Sequence, residues 1–342
     1  MGERLRDTIM RRIKESDWDL RTNRYKLEIF DRSELRIIAK VDSSDFSERM
    51  GALLVDVCEE GCFEVVDMSD LLPVDYRYAM VVAPVTDVRS ESKWRSERVH
   101  QLVFGEWVKV LEFDNAYALV KDMKTGYVGH VACNNLDFCS AEERESIRSM
   151  PKFFVGERFA YLSGLDTGFQ GEKDLGWLPL GSQLFISRES EQGLYVVTPG
   201  REYWIRKHDC FVADERPVTE LDDWVDKYLR VPYLWGGCSA FGTDCSGFVL
   251  RLFDMLGSSL PRDTDQQIAA LKEITEAELE RGDLVFFPGH VGLYMGKGYI
   301  VHANVSIGGV SFSQIRDPRD SYEHYLKTNI TGFRRVKRQA GK

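Results

Sequence analysis

Tyr233-Leu234-Trp235-Gly236-Gly237, a short polar loop, and then Asp244-Cys245-Ser246-Gly247-Phe248 form the stretch from which the rest of the chain can be read. Downstream of it, Phe248, Val249, Leu252, Phe253 and Leu256 recur at helical spacing and stop at Gly257, a residue suited to the C′ position. Cys245 therefore falls at a helix N-terminus. Unpaired backbone N–H groups and the positive end of the dipole favour a thiolate there, which should lower the cysteine pKa. Gly236 and Gly237 would let backbone approach a ligand closely. A cysteine at a helix start is more often a small buried hydrophobe; here its surroundings argue for a nucleophile.

A thiolate nucleophile needs a base and a group that orients the base. The runs 282–295 and 299–303 read as strands, with Gly296-Lys297-Gly298 as the turn between them. In that hairpin His290 and His302 fall roughly opposite one another, within the slack of a bulge. His290 would take the thiol proton, and His302 would hold its imidazole in the useful tautomer.

Six ordered blocks now carry a resemblance. Val231-Pro232-Tyr233-Leu234-Trp235-Gly236-Gly237, Asp244-Cys245-Ser246-Gly247-Phe248, Leu260-Pro261-Arg262, 282–287, 290–296 and His302-Ala303 resemble the successive motifs of the NlpC/P60 cysteine peptidases. The resemblance spans roughly residues 216–338. It implies a papain-like fold and cleavage of bacterial wall peptides, typically at the γ-D-glutamyl bond to a diamino acid. It makes Cys245 the nucleophile, His290 the base and His302 the orienting residue, with no cofactor and no metal.

The 342 residues suggest about two to four domains, and 43% hydrophobic content is ample for packed cores. A net charge of −10 argues against nucleic acid and anionic membrane as partners and suits a small cationic substrate group. The charged start Met1–Asp7 leads into no apolar stretch of the kind a secretory signal needs, and no run approaches transmembrane length. Seven cysteines, at 58, 62, 133, 139, 210, 238 and 245, suit a reducing compartment. The expectation is a cytoplasmic monomer. Cys58 and Cys62 have a metal-like spacing without a second ligand pair and are read as structural.

The fold class expected is α+β, a papain-like catalytic domain preceded by two small SH3b-like β-barrels. Residues 1–75 read as an α+β cap or as an extension of the first barrel, opening on a charged helix through Lys14. Residues 76–137 show short β-rich runs at 79–85, 107–111, 117–121 and 127–131, punctuated by Gly105, Asn115 and Gly126. Val88-Arg89-Ser90, Gly105-Glu106-Trp107-Val108 and Gly126-Tyr127-Val128-Gly129 resemble a bacterial SH3 domain. Residues 138–213 hold a short helix capped by Ser140 and a second, more diverged β-rich unit. Glu215-Arg216-Pro217 is a linker into residues 214–342, where helix 221–229 props the Tyr233 loop. The segment after Arg262 starts another helix, 275–281 is an acidic solvated helix, and Arg262 itself marks a structural turn. Without a low-complexity linker the domains should pack together.

Asp244 poses an electrostatic problem, because a carboxylate beside the nucleophile opposes a thiolate. Either it caps the helix or it pairs with a cation. Resemblance to the branch with two SH3b domains implies that Tyr233, Asp244 and Ser246 grip the substrate. It also implies that an acid and a tyrosine of the first barrel, matched by Glu97 and Tyr127, meet the free amine of an N-terminal L-alanine. The ordinary alternatives are a solvated loop acid for Glu97 and barrel packing for Tyr127. His100, His130, His208 and His324 have no partner pattern and read as structural or surface residues, and Cys238 is a conceivable oxidation partner for Cys245. The function expected is a γ-D-glutamyl-diamino acid dipeptidyl peptidase acting on free wall peptides. Three other readings stand beside it: a secreted wall endopeptidase, a zinc protein using Cys245, His290 and His302, and an inert wall-peptide binding module. Neither lysine nor diaminopimelate is selected by any motif.

Overall fold

Four sheet-bearing units follow one another along the chain, each with its own apolar core. The computed structural model describes residues 2–31, 35–58, 62–164, 176–213 and 221–337, so the 215–217 linker lies outside the described residues. The first unit runs α1 (Gly2–Glu15), β1 (Tyr25–Asp31), β2 (Leu35–Val41), α2 (Ser44–Val57) and β3 (Phe63–Asp67). β1 pairs antiparallel with β2, whereas β3 lies parallel to β2, and a parallel neighbour requires a crossover, which α2 supplies. Ser43 caps α2 by accepting from the Phe46 amide. Ile9 and Ile13 of α1 and Phe46, Met50 and Leu54 of α2 pack on Ile37, Ala39 and Val41. This unit therefore has its own sheet and core.

The second unit comprises β4 (Tyr78–Val81), β5 (Val85–Arg89), β6 (Arg98–Val103), β7 (Trp107–Asp114), β8 (Tyr117–Asp122), β9 (Val128–Ala132) and β10 (Leu136–Cys139). Its order is β10-β4-β7-β8-β9-β5-β6. Ser140 then caps α3 (Ala141–Arg148) through the Glu143 amide. The third unit follows as β11 (Lys152–Val155), β12 (Phe159–Gly164), β13 (Gly176–Pro179), β14 (Gln183–Glu189), β15 (Gly193–Thr198), β16 (Arg201–Arg206) and β17 (Cys210–Val212), in the order β13-β12-β16-β15-β14-β11-β17. Both are antiparallel β units at the positions where the sequence predicts two small β-barrels. One edge strand is covered from outside its own sheet: β6 packs against the loop that carries β18 (Cys238–Ser239) and β19 (Gly242–Thr243).

The last unit begins with α4 (Leu221–Tyr228) and continues, after that loop, with α5 (Cys245–Met255), α6 (Thr264–Ala270), β20 (Lys272–Ile274), β21 (Leu284–Phe287), β22 (His290–Gly296), β23 (Tyr299–Asn304), β24 (Gly309–Gln314), α7 (Ser321–Thr328) and β25 (Gly332–Arg335). Its sheet has the order β20-β25-β21-β22-β23-β24. α5 lies on β22 and β23 and buries Phe248, Val249, Leu252 and Phe253 against Leu284, Phe286, Val291, Leu293 and Val301. The 275–281 segment differs from expectation. It forms only a 3-10 turn, Glu276–Glu278, despite a capping box in which the Glu278 carboxylate accepts from the amide and the hydroxyl of Thr275 at 2.8 Å, because no apolar stripe is available to bury.

Helix α5 is bolted to the second unit from below. Arg251 and Glu106, each 2% exposed, form a two-pronged pair at 2.5 and 2.8 Å, and Arg251 Nε donates to Cys238 O at 2.8 Å. Removing one partner of such a pair leaves an uncompensated buried charge. Arg251→Ala should therefore cost roughly 3–5 kcal/mol, read as a loss of the thermal transition shared by the second and last units, whereas Arg251→Ala combined with Glu106→Gln should recover part of it.

Candidate active site

The loop before α5 is shaped by backbone geometry. Gly236 adopts φ +71°, and a Cβ there would lie 2.3 Å from Arg98 O, so β6 can press directly on the loop. At Gly237 a Cβ would meet two carbonyl oxygens at 2.7 Å. Cys238 N donates to Gln101 Oε1 at 3.0 Å, a further bond between loop and β6. Its thiol is buried and donates to Gly247 O at 3.6 Å; Cys238 and Cys245 are both free thiols, as are Cys58 and Cys62.

Asp244 satisfies both readings at once. As the N-cap of α5 its Oδ1 accepts from Gly247 N at 2.7 Å and from Ser246 Oγ at 3.2 Å, while Oδ2 accepts from Gly236 N at 3.0 Å. The cation is Arg262, which donates Nη2 to Oδ2 at 2.6 Å and Nη1 to Oδ1 at 3.1 Å. Five donors exhaust the lone pairs of one carboxylate, so Asp244 is occupied in holding protein. Arg262 also donates to Ser246 Oγ at 2.8 Å and, through Nε, to His100 Nδ1 at 2.9 Å. His100, read as a structural or surface residue, has a structural place here. It is fully buried with Asp122 at 3.8 Å on its other side, and its partners lie 22 and 162 residues away, beyond any local pattern.

His290 and His302 meet at 2.6 Å, His290 Nε2 to His302 Nδ1. They are diagonal rather than opposite, because Leu293 pairs with Val301 and this register places Gly292 across from His302. A Cβ at Gly292 would sit 3.4 Å from His302 Cβ, so glycine leaves the two rings room. Each imidazole faces the other at hydrogen-bond distance, which is not how two ligands converge on one ion, and among the described residues no group of three His, Cys, Asp or Glu could hold a metal. His302 Nε2 lies 3.0 Å from Ser313 Oγ and 3.4 Å from Asn304 Nδ2. Cys245 Sγ lies 3.9 Å from Thr264 Oγ1.

A cleft of about 720 Å³ opens at Cys245. Tyr233, Asp244 and Ser246 line it from the last unit, and Glu97 and Tyr127 from the second. Glu97 Oε1 accepts from the indole Nε1 of Trp235, which is 64% exposed, at 2.8 Å. Tyr127 OH donates to Asp263 Oδ2 at 3.2 Å. Sequence reasoning missed Asp263, visible there only as the residue before a helix, and Arg21, which reaches Asp263 across 242 residues at 2.9 Å.

Residues 230–335 match the NlpC/P60 family. The last unit carries an NlpC/P60 family domain. It is 28% identical over 269 residues to dipeptidyl-peptidase 6 of Lysinibacillus sphaericus, covering 75% of this chain and 98% of that protein. To the gamma-D-glutamyl-L-lysine dipeptidyl-peptidase of Bacillus subtilis (strain 168) it is 31% identical over 211 residues, covering 58% of this chain and 66% of that one. The crystal structure of an NlpC/P60 family protein from Bacillus cereus ATCC 10987 shares the fold with a TM-score of 0.65 at 20% identity, over 75% of this chain and 99% of that chain.

Electrostatics in this NlpC/P60 unit run against the thiolate expectation. Burial pushes the Cys245 thiol up to about 11, the Asp244 carboxylate adds to the rise, and the Val291 amide and Thr264 hydroxyl only oppose it. The helix N-terminus is already engaged by Asp244, so its positive end is neutralised before it reaches sulfur. Burial also pushes His290 down to about 4 and His302 down to about 3, and the Tyr233 phenol up to about 12. At neutral pH the resting pair is thiol and uncharged imidazole. Below a raised thiol pKa the thiolate fraction climbs with pH, so the rate of Cys245 alkylation by iodoacetamide, followed by mass spectrometry, should rise about tenfold per unit from pH 6 to 9. A plateau across that range would mean a preformed ion pair.

Proposed function

We propose that the protein is a cysteine peptidase that cleaves the γ-D-glutamyl-diamino acid bond of free wall peptides bearing an unblocked N-terminal L-alanine, releasing L-Ala-γ-D-Glu. The observation that carries this reading is the acidic wall of the cleft, where Glu97, Tyr127 and Asp263 line the same pocket as Cys245. Tyr127 commits its proton to Asp263, leaving the phenol oxygen as an acceptor. An ammonium group meets acceptors there, whereas an acylated N-terminus brings no positive charge to the Glu97 and Asp263 carboxylates. The named relatives above support dipeptidyl cleavage as the mode of action.

In this mechanism His290 Nδ1 takes the thiol proton as sulfur attacks the γ-carbonyl carbon. The backbone N–H of Cys245, at the first helical position and so without an intrahelical partner, faces the developing oxyanion. As the C–N bond breaks His290 returns the proton to the leaving amine, and water then splits the thioester by the reverse proton path. Tyr233, whose hydroxyl has no protein partner among the described residues, and Ser246 contact the acyl portion; Asp244 acts through the loop and helix it holds. The imidazole chain must run His290 Nε2–H to His302 Nδ1, and His302 Nε2–H to Ser313 Oγ, for His290 Nδ1 to be an open base. The Asn304 amide favours the opposite chain, since its NH₂ can only donate.

Mass spectrometry of L-Ala-γ-D-Glu-L-Lys and its diaminopimelate counterpart, each free and N-acetylated, tests the reading. Cleavage of the free peptides alone, abolished by Cys245→Ala, is expected; equal cleavage of acetylated peptide would point to a wall endopeptidase. Ser313→Ala leaves only a donor beside His302 Nε2 and should lower kcat roughly 10- to 100-fold with little change in KM, while Ser313→Thr should retain most activity.

A further inference from the structure

The first unit supplies none of the groups used above, yet it forms part of the cleft wall. Its loop between α1 and β1 is pinned to the second unit: Val128 N donates to Arg21 O at 2.7 Å and Lys121 Nζ to Thr22 O at 2.8 Å. From that anchor the Arg21 guanidinium enters the cleft and uses every N–H donor it has. Nε and Nη2 bind Asp19 at 2.9 and 2.8 Å, Nη1 binds Asp263 Oδ2 and Asp265 Oδ1 at 2.9 Å each, and Nη2 binds Asp265 Oδ2 at 2.8 Å. Gln266 Nε2 closes the cluster on Asp19 Oδ2 at 2.6 Å. Nothing is left on Arg21 for a substrate carboxylate. Arg21 is one cation among three carboxylates, and the next nearest, Arg262, is paired with Asp244, so this end of the cleft stays negative.

We propose that Arg21 is a specificity-determining positioning residue, through which the first unit fixes Asp263 against Tyr127 for recognition of a substrate ammonium group. The inference deepens the free-amine reading and rests on it. The oxygen that Arg21 holds, Asp263 Oδ2, is the one to which Tyr127 donates. The same carboxylate caps α6 by accepting from the Gln266 amide, and its Oδ1 lies 4.0 Å from Arg262 Nη1, so guanidinium, phenol and helix cap together set the Asp263 rotamer that keeps the phenol oxygen as an acceptor in the cleft. Without the guanidinium, Asp19, Asp263 and Asp265 repel one another, Asp263 turns towards water or takes a proton, and the acceptor set disperses. A lysine would neutralise one charge but could not span three carboxylates as a planar fork does.

The test uses the full chain as wild type, Arg21→Ala, Arg21→Lys and Asp19→Asn, all checked for folding by thermal melting. For the free tripeptide, Arg21→Ala should raise KM about 10- to 100-fold, the scale of a lost charge-assisted anchor. Its kcat and its rate of Cys245 alkylation should stay within about twofold of wild type, with Arg21→Lys between the two. A folded Arg21→Ala protein with unchanged KM overturns the proposal, as does a parallel fall in kcat and alkylation, which marks general distortion. Should Arg21→Ala not fold, Arg21→Lys and Asp19→Asn carry the same comparison. If wild type leaves the tripeptide uncut, the peptidase reading fails by itself. Calorimetry with L-Ala-γ-D-Glu then decides Arg21 separately: equal affinity in wild type and Arg21→Ala overturns its role, and an approximately tenfold loss supports it.

Discussion

The pairing of Arg262 with Asp244, two buried and fully hydrogen-bonded charges, is the constraint on which the site depends. Asp244 holds the amides on either side of the nucleophile, Gly236 N and Gly247 N, so the placement of Cys245 follows from where that carboxylate sits. The carboxylate sits there because Arg262 does. Arg262 is in turn fixed by His100 of the second unit, whose other nitrogen faces Asp122. Burying two charges is tolerable only when every lone pair and proton finds a partner, and here they do. The chain of contacts makes the second unit part of the catalytic framework rather than an appendage.

The same pair explains why the nucleophile rests uncharged. A helix N-terminus stabilises an anion once, and in this protein the anion it stabilises is the Asp244 side chain. Cys245 is left with a buried position and a carboxylate neighbour, both of which favour the thiol. His290, half-buried, is likewise pushed towards the neutral base by its partial desolvation. In the mechanism proposed above, reactivity then belongs to the complex, in which substrate positions the carbonyl and the imidazole takes the proton during attack.

Three units converge on the far end of the cleft. Glu97 and Tyr127 come from the second, Asp263 from the last and Arg21 from the first. Each contact crosses at least 130 residues of sequence: Trp235 to Glu97 spans 138, Tyr127 to Asp263 spans 136 and Arg21 to Asp263 spans 242. A loop docked by its backbone and an arginine whose donors are saturated can form a rigid wall, which is what discrimination by repulsion of a wrong substrate end requires.

Local patterns carried the elements near the nucleophile. The apolar spacing after Cys245 and the terminal Gly257 specified α5, the Gly-Lys-Gly turn specified the β22–β23 hairpin, and Ser140 specified the start of α3, because helix periodicity, turn chemistry and capping act over a few residues. The two histidines were legible as a pair, but their diagonal register was not, since it depends on how the turn and its bulge offset the strands. Residues 275–281 were misread because charge alone does not make a helix when no face is buried. Asp263 was legible only as a helix start, and His100 and Arg21 carried no local signal of their partners. Their roles depend on distant charges brought within about 3 Å by folding, and only the tertiary structure could decide that a cation on the first unit, a histidine on the second and an acid on the last would share one cleft.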